Sequence, residues 1–368
     1  MRNTVLHKMI IMEIFPPFIL AFTSISMFML LGRMMVLLQP LLMAGITGME
    51  FIRFLSIILP SFFGFSIPIA TLLGNLLAFM RLSRDSEIMA LLCCGVDFRQ
   101  ILAPVTAVTC ILWLCALFVS IVVVPASKTA SKQFLQEITE KILTRGIPER
   151  VFFTPLHGLT FYVDKSSHEG KRFKGIFISD ERRTGLTNDI LARSGELAPD
   201  ETGRKAMLIL HHGTMTMINT KHQAVDLMQF GKYVLRLQLP KDHGRRRRGE
   251  MGVGELYSMA YHSKIPDEKR ITYRIELQKR FAIPCGVLIM GLIAVPLGCL
   301  FGRTGLSGGI AIGLAAFLSY YMIMELAANF AHNGIIPVEL SMWLPNITGA
   351  MAVLFLMKKL YGMEGGRK

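Results

Sequence analysis

The sequence predicts an α-helical polytopic membrane protein. It has six transmembrane helices in a three-plus-three arrangement and a β-sandwich or jelly-roll domain between the halves. Three observations predict this class. Hydrophobic residues occupy 52% of the 368 positions and charged residues only 18%; with a mean hydropathy of +0.46, that is too apolar for a soluble chain of this length. Six apolar runs, at about 11–38, 52–80, 99–124, 281–301, 306–328 and 339–357, are long enough or nearly so for ~30 Å of hydrocarbon. The polar segment between the third and fourth runs reads as short strands. The expected division is 1–125 for spans one to three, 126–280 for the outer domain with flanking helices, and 281–368 for spans four to six.

The first apolar run is too long for a cleavable signal and lacks an Ala-x-Ala site, so it is expected to stay as a membrane anchor. Pro60, Pro68, Pro104, Pro284 and Pro296 remove backbone donors within the spans and predict kinks. Lys and Arg set the orientation. With the N-terminus cytoplasmic, the inner segments carry Arg2, Lys8, Arg81, Arg84, Arg99, Arg303, Lys358, Lys359, Arg367 and Lys368, while the short outer loops 39–51 and 329–338 carry no Lys or Arg. The positive-inside rule then puts both termini in the cytoplasm and the large domain on the outer side of the membrane, which in a Gram-negative cell is the periplasm. The formal charge of +14 fits membrane topology and anionic lipid, and no motif supports nucleic acid. The cysteines, Cys93, Cys94, Cys110, Cys115, Cys285 and Cys299, all lie in spans or on the inner side and are expected to be small buried hydrophobes. The outer domain has none and therefore no disulfide.

The outer domain is expected to be β. Val151-Phe-Phe-Thr, Leu159–Val163, Phe173–Ile178, Lys205–Leu210, Thr214–Ile218 and Tyr233–Leu239 are short runs, several alternating, separated by turn material at Ser194-Gly195, Pro199–Gly203 and His212-Gly213. A helical stretch at about 128–144 precedes it. After Arg245–Arg248, read as a solvated loop, helix resumes, and about 267–280 runs straight into the fourth span.

Between the second and third spans lies the only strongly charged break in the first part of the chain, Arg81–Arg99. Ser83, Asp85 and Ser86 are N-cap residue types and Gly95 suits a left-handed stop, so a short helix over about 83–96 is expected. Ile88, Leu91 and Leu92 fall at i, i+3, i+4 and give it an apolar face. Glu87 sits in its first turn, where a carboxylate complements the helix dipole. From physics alone, a docking element and a solvated connector are both open.

Motifs for catalysis are lacking. The sequence contains no G-x-x-x-x-G-K-[ST], H-E-x-x-H or G-x-S-x-G. His211-His212 would point to opposite faces of a strand, a poor metal pair. No enzyme, no cofactor and no metal site is expected. The charges within or beside the apolar runs are the remaining candidates: Arg33, Arg53 and Glu325. Arg33 either meets a lipid phosphate or snorkels, and Glu325 is a candidate partner for Arg33 or Arg53.

Four stretches resemble the lipopolysaccharide-export permease family, LptF/LptG (YjgP/YjgQ). They are Ser86-Glu-Ile-Met-Ala-Leu-Leu-Cys-Cys-Gly95; Tyr273–Arg280 leading to Val295-Pro-Leu-Gly298; Arg303 with Gly305 and Gly308–Gly313; and Asn333–Pro337 with Trp343-Leu-Pro-Asn346. The Ser-Glu-Ile pattern leans toward LptF. The resemblance covers essentially the whole chain. It implies a non-catalytic permease half of an ABC exporter that pairs with a paralogous permease and a dimer of an LptB-like ATPase, which binds the ATP. It further implies that lipopolysaccharide passes from the inner membrane to periplasmic LptC and LptA-like proteins. On the family pattern, Glu87 stands at the ATPase-coupling position, with Arg84, Ser86, Ile88, Leu91 and Gly95 counted to the same helix, and Arg33 falls in the substrate-contacting region; Arg53 and Glu325 are counted beside it as substrate-binding candidates. A lipoprotein-release permease or a membrane scaffold without an ATPase are the competing classes.

Overall fold

The computed structural model describes residues 2–43, 46–145, 150, 152–156, 158–166, 172–183, 186–199, 206–219, 224–237, 246–262 and 265–365. The helices are α1 (Arg2–Met43), α2 (Gly48–Ile58), α3 (Phe63–Arg84), α4 (Glu87–Cys93), α5 (Phe98–Phe118), α6 (Val124–Arg145), α7 (Val253–Tyr257), α8 (Asp267–Leu300), α9 (Gly305–His332) and α10 (Val338–Gly365). Among the described residues six helical stretches are long and apolar enough to cross a bilayer: Val5–Leu38, Gly48–Arg84, Phe98–Ile138, Asp267–Leu300, Ser307–His332 and Val338–Leu360. Each covers one of the predicted apolar runs to within one residue. The continuation of 267–280 into the fourth span is observed as the single helix α8.

Two compact units make up the chain. One consists of residues 1–32, 55–130 and 246–368, the other of 33–54 and 131–245.

The first unit is the helical bundle. Its centre is α3, whose buried residues run from Ser66 to Leu82. Glycines allow close approach to it. A Cβ on Gly298 of α8 would sit 2.7 Å from the Phe79 Cβ and 2.9 Å from the Leu76 carbonyl, and one on Gly309 of α9 would sit 2.4 Å from the Met80 sulfur. One polar clasp lies inside this packing. Asn75, 0% exposed, donates from Nδ2 to the Gly291 carbonyl of α8 at 3.0 Å and to Thr109 Oγ1 of α5 at 3.4 Å. Without water to compete, such bonds fix which helix faces meet. The proline positions differ in effect. Pro60 starts a 3-10 turn, Leu59–Phe62, that separates α2 from α3, while Pro68, Pro104, Pro284 and Pro296 lie inside helices. The end of α5 opens into a π-turn, Val119–Val123.

The second unit carries the sheet, with Phe54 of α2 stacked on Phe134 of α6 at 5.0 Å. The strands are β1 (Phe153–Leu156), β2 (Leu159–Ser166), β3 (Arg172–Arg183), β4 (Leu186–Pro199), β5 (Ala206–Asn219) and β6 (Ala224–Leu237). They form one antiparallel sheet in sequential order.

A crease crosses this sheet. The pairing of β2 with β3 skips Asp164 and Gly175, that of β3 with β4 skips Gly175 and Arg193, that of β4 with β5 skips Arg193 and His212, and that of β5 with β6 skips His212 and Gly231. The five residues therefore lie in one transverse row. The buried side of each strand changes parity there: Val163 then Ser166, Phe173 then Ile176, Ala192 then Gly195, Leu210 then Met215, and Phe230 then Leu235 carry the more buried positions. Each strand thus holds one extra residue at the row, and the apolar face stays continuous on both sides of it. Gly175 at φ 63 and His212 at φ 51 supply the backbone geometry, as residues in β-bulges do. The predicted sandwich is realised as a single creased sheet whose more buried side carries across the crease.

The crease also corrects the strand boundaries. Ser194-Gly195 and His212-Gly213, read as turns, lie inside β4 and β5, so 206–219 is one strand where two were expected, and β4 was not anticipated at all. Residues 200–205 and Arg245, part of two predicted loops, lie outside the described residues.

Candidate functional site: the short helix and the charged ends of the bundle

The break between spans two and three folds into a seven-residue helix, α4, shorter than the predicted 83–96. Ser83 belongs to α3 and donates from Oγ to the Cys299 carbonyl at 3.2 Å. Asp85 ends α3 and sits 3.7 Å from Arg81 Nε and 3.4 Å from Arg84 Nε. Only Asp85 and Ser86 separate the two helices. So short a reversal forces Ser86 into the left-handed region, at φ 58, and its side chain makes no cap. Ser86, one of the three candidate caps, therefore does not cap, because a capping side chain requires an extended N-cap backbone. The predicted stop is present. Gly95 has φ 79, its N–H donates to the Leu92 carbonyl at 3.0 Å, and the Val96 N–H donates to the Leu91 carbonyl at 3.1 Å, the paired bonds of a Schellman motif.

A helix this short has too little internal hydrogen bonding to persist alone. Packing holds it. Ile88 is 8% exposed and joins a cluster with Ile10, Ile14, Phe79, Leu82, Phe98 and Ile101; Leu91, Leu92 and Val96 pack on its edge. The predicted apolar face is thus the seat. The opposite face is open: Met89 is 51% exposed, Ala90, Cys93 and Cys94 are exposed, Glu87 is half-buried, and Arg84, Asp85, Asp97 and Arg99 flank it at the surface. Asp97 caps α5 by accepting from the Arg99 N–H at 3.1 Å. Buried cysteines were expected, yet Cys93, Cys94, Cys110 and Cys115 are exposed on this chain and Cys285 and Cys299 half-buried.

At the far end of α8 a different set of charges gathers. Glu325 of α9 accepts from Lys279 Nζ at 2.9 Å, so its partner is on α8, correcting the expected Arg33 or Arg53. The Tyr273–Arg280 stretch, read only as a helix entry, supplies three further anchors. Arg274 pairs with Glu339 of α10 at 2.5 Å and lies 5.2 Å over the Tyr261 ring, whose hydroxyl donates to the same carboxylate at 2.9 Å. Trp343 Nε1 donates to Gln278 Oε1 at 3.2 Å. Arg280, buried, donates to the Arg248 and Gly249 carbonyls at 3.3 and 3.5 Å, and its own carbonyl accepts from Ser120 in the π-turn at 3.0 Å. Arg248 therefore belongs to a buttressed turn rather than a free loop. Apart from the family resemblance of these stretches, no sequence signal set these residues apart from ordinary surface charges. Arg33 and Arg53 are exposed and belong to the unit that carries the sheet. Among the described residues no group of His, Cys, Asp or Glu could hold a metal ion.

Comparison with known proteins gives this arrangement its context. A Rickettsia prowazekii protein described as uncharacterized protein RP871 is 26% identical over 191 residues, which is 52% of each chain; the chain thus spans about half the length of that curated relative. The family model described as lipopolysaccharide export system permease LptF/LptG matches residues 8–359. With nearly its whole length matched, this chain belongs to the LptF/LptG family of lipopolysaccharide export system permeases.

Proposed function

We propose that this chain is the membrane half of an ABC-type exporter that draws lipopolysaccharide from the inner membrane, and that α4 is where a separate, LptB-like ATPase pushes on it. One observation supports this above others. α4 is a short helix seated by Ile88 on the bundle core, joined directly to α3 and to the capped start of α5, with its other face open. A partner that binds the open face moves two spans at once. Glu87 and the exposed Met89 are the contact residues, Arg84 flanks them, and Ile88, Leu91 and Gly95 hold the helix in place. Arg33 and Arg53 meet substrate phosphates near the outer membrane face; Glu325, held by Lys279 within the helical bundle, is a separate substrate-contact candidate. The creased sheet receives the lipid in the periplasm and passes it to LptC and LptA-like proteins, with β6, an edge strand of the sheet among the described residues, pairing with a further strand.

The orientation follows from the Lys and Arg asymmetry, with both termini on the α4 side. A pull-down of the full chain from membranes tests the whole reading. The expected result is co-purification of an ABC ATPase and a paralogous permease with bound glycolipid. Recovery of a lipoprotein-release ATPase, or of no ATPase, refutes it.

A further inference from the structure

A cavity of about 310 Å³ lies between α1, α3 and the start of α9. It straddles the edge of the hydrocarbon layer. On α3, Arg81 is the first charge after an uncharged stretch that begins at Phe54; on α1, Glu13 is the last charge before an uncharged stretch that runs to Gly32. The two meet at 2.6 Å, so they fix the level at which apolar side chains give way to polar ones. On the hydrocarbon side the cavity is walled by Pro16, Pro17, Leu20 and Leu77, and at the charged level by Glu13, Arg81 and Arg84. Gly302 forms part of the wall and has no room for a side chain, since a Cβ there would lie 2.7 Å from Ser83 Oγ.

We propose that this cavity binds one glycerophospholipid of the surrounding leaflet through its phosphodiester. Two guanidinium groups and one carboxylate line the cavity, and Asp85, just outside the lining, balances the second cation, so what the site offers a phosphate is free guanidinium donors rather than net charge. Arg81 is occupied by Glu13 and Asp85. Arg84 engages Asp85 through Nε, so its two terminal nitrogens can take a phosphate in the forked geometry that suits guanidinium. The apolar wall then receives the first methylenes of the acyl chains, and the rest of the lipid stays in the bilayer. Asp85 lies in the turn that leads into α4, so an occupied cavity braces that turn. The inference does not depend on what the protein exports.

Native mass spectrometry of the detergent-purified full chain tests it, with phosphatidylglycerol and diacylglycerol of the same acyl chains as probes. The expected result is retention of phosphatidylglycerol over diacylglycerol by about fivefold, the ratio expected of one solvent-screened charge contact. Arg84→Gln removes the phosphate contact and Leu20→Trp fills the apolar wall; both side chains are more than half exposed, so both variants keep the fold. Each brings the two lipids to parity. Equal retention by the unmodified chain, a preference that survives either substitution, or displacement of the lipid by inorganic phosphate overturns the proposal.

Discussion

The seat of α4 can be tested separately from its contact face. Ile88→Ala removes the buried side chain that anchors a seven-residue helix. Truncation of a buried Ile to Ala costs about 2–5 kcal/mol. The helix has no other deep anchor, because Leu91 and Leu92 pack only at the cluster's edge, so the cost falls on local opening rather than on the bundle. Even the lower bound raises the open population of residues 87–93 by roughly 30-fold. Hydrogen–deuterium exchange on the full chain in detergent reads this directly, as faster exchange of the α4 amides with the α3 and α8 amides unchanged. Met89→Ala is the matched control. Its side chain is 51% exposed, so exchange stays as in the unmodified chain, while capture of the partner ATPase falls. Unchanged α4 exchange in Ile88→Ala, or equal acceleration in both variants, refutes the division into a seated face and a contact face.

Other perturbations follow from the same geometry. Glu87→Ala weakens ATPase capture by about tenfold, as loss of a hydrogen bond to a charged group does, with membrane insertion intact; normal capture by co-purification argues against a coupling role. Asn75→Val leaves the Gly291 carbonyl without its 3.0 Å donor and lowers stability by about 1 kcal/mol, measured as an earlier thermal transition in detergent. Gly175→Ala places a Cβ at φ 63, 2.9 Å from the Asp164 Cβ, and costs at least about 1–2 kcal/mol; Gly231→Ala on the same row, with open space at its Cβ, costs much less. Limited proteolysis of the sheet domain distinguishes the two. Arg33→Glu reduces the lipopolysaccharide that co-purifies, and an unchanged yield favours a side chain that only snorkels.

Much of the bundle was legible because its signal is length and polarity. The six spans, the continuation of α8 from Asp267 and the stop at Gly95 each follow from local composition. The beginning of α4 was not legible. Ser83, Asp85 and Ser86 are all competent caps, and the choice among them depends on the Ser83 bond to the Cys299 carbonyl, a partner 216 positions away. β4 and the continuity of β5 were hidden for a related reason. Ser194-Gly195 and His212-Gly213 have turn chemistry because the crease uses turn-like backbone, and only the alignment of five strands shows that the bend occurs within them. The pairing of Glu325 with Lys279 likewise depends on helix rotation, which no one-dimensional pattern specifies.

The transverse row imposes a collective constraint on chain length. Deleting Gly175 alone would slide one half of β3 by a position against both neighbours, turn Phe173 from the apolar side to the water side and break its alignment with Ser166 and Gly195. Lineages descended from such a sheet can lose or gain the supernumerary position only in every strand together. Insertions in this domain should therefore accumulate at strand ends, while the interior lengths from β2 to β6 stay locked to one another.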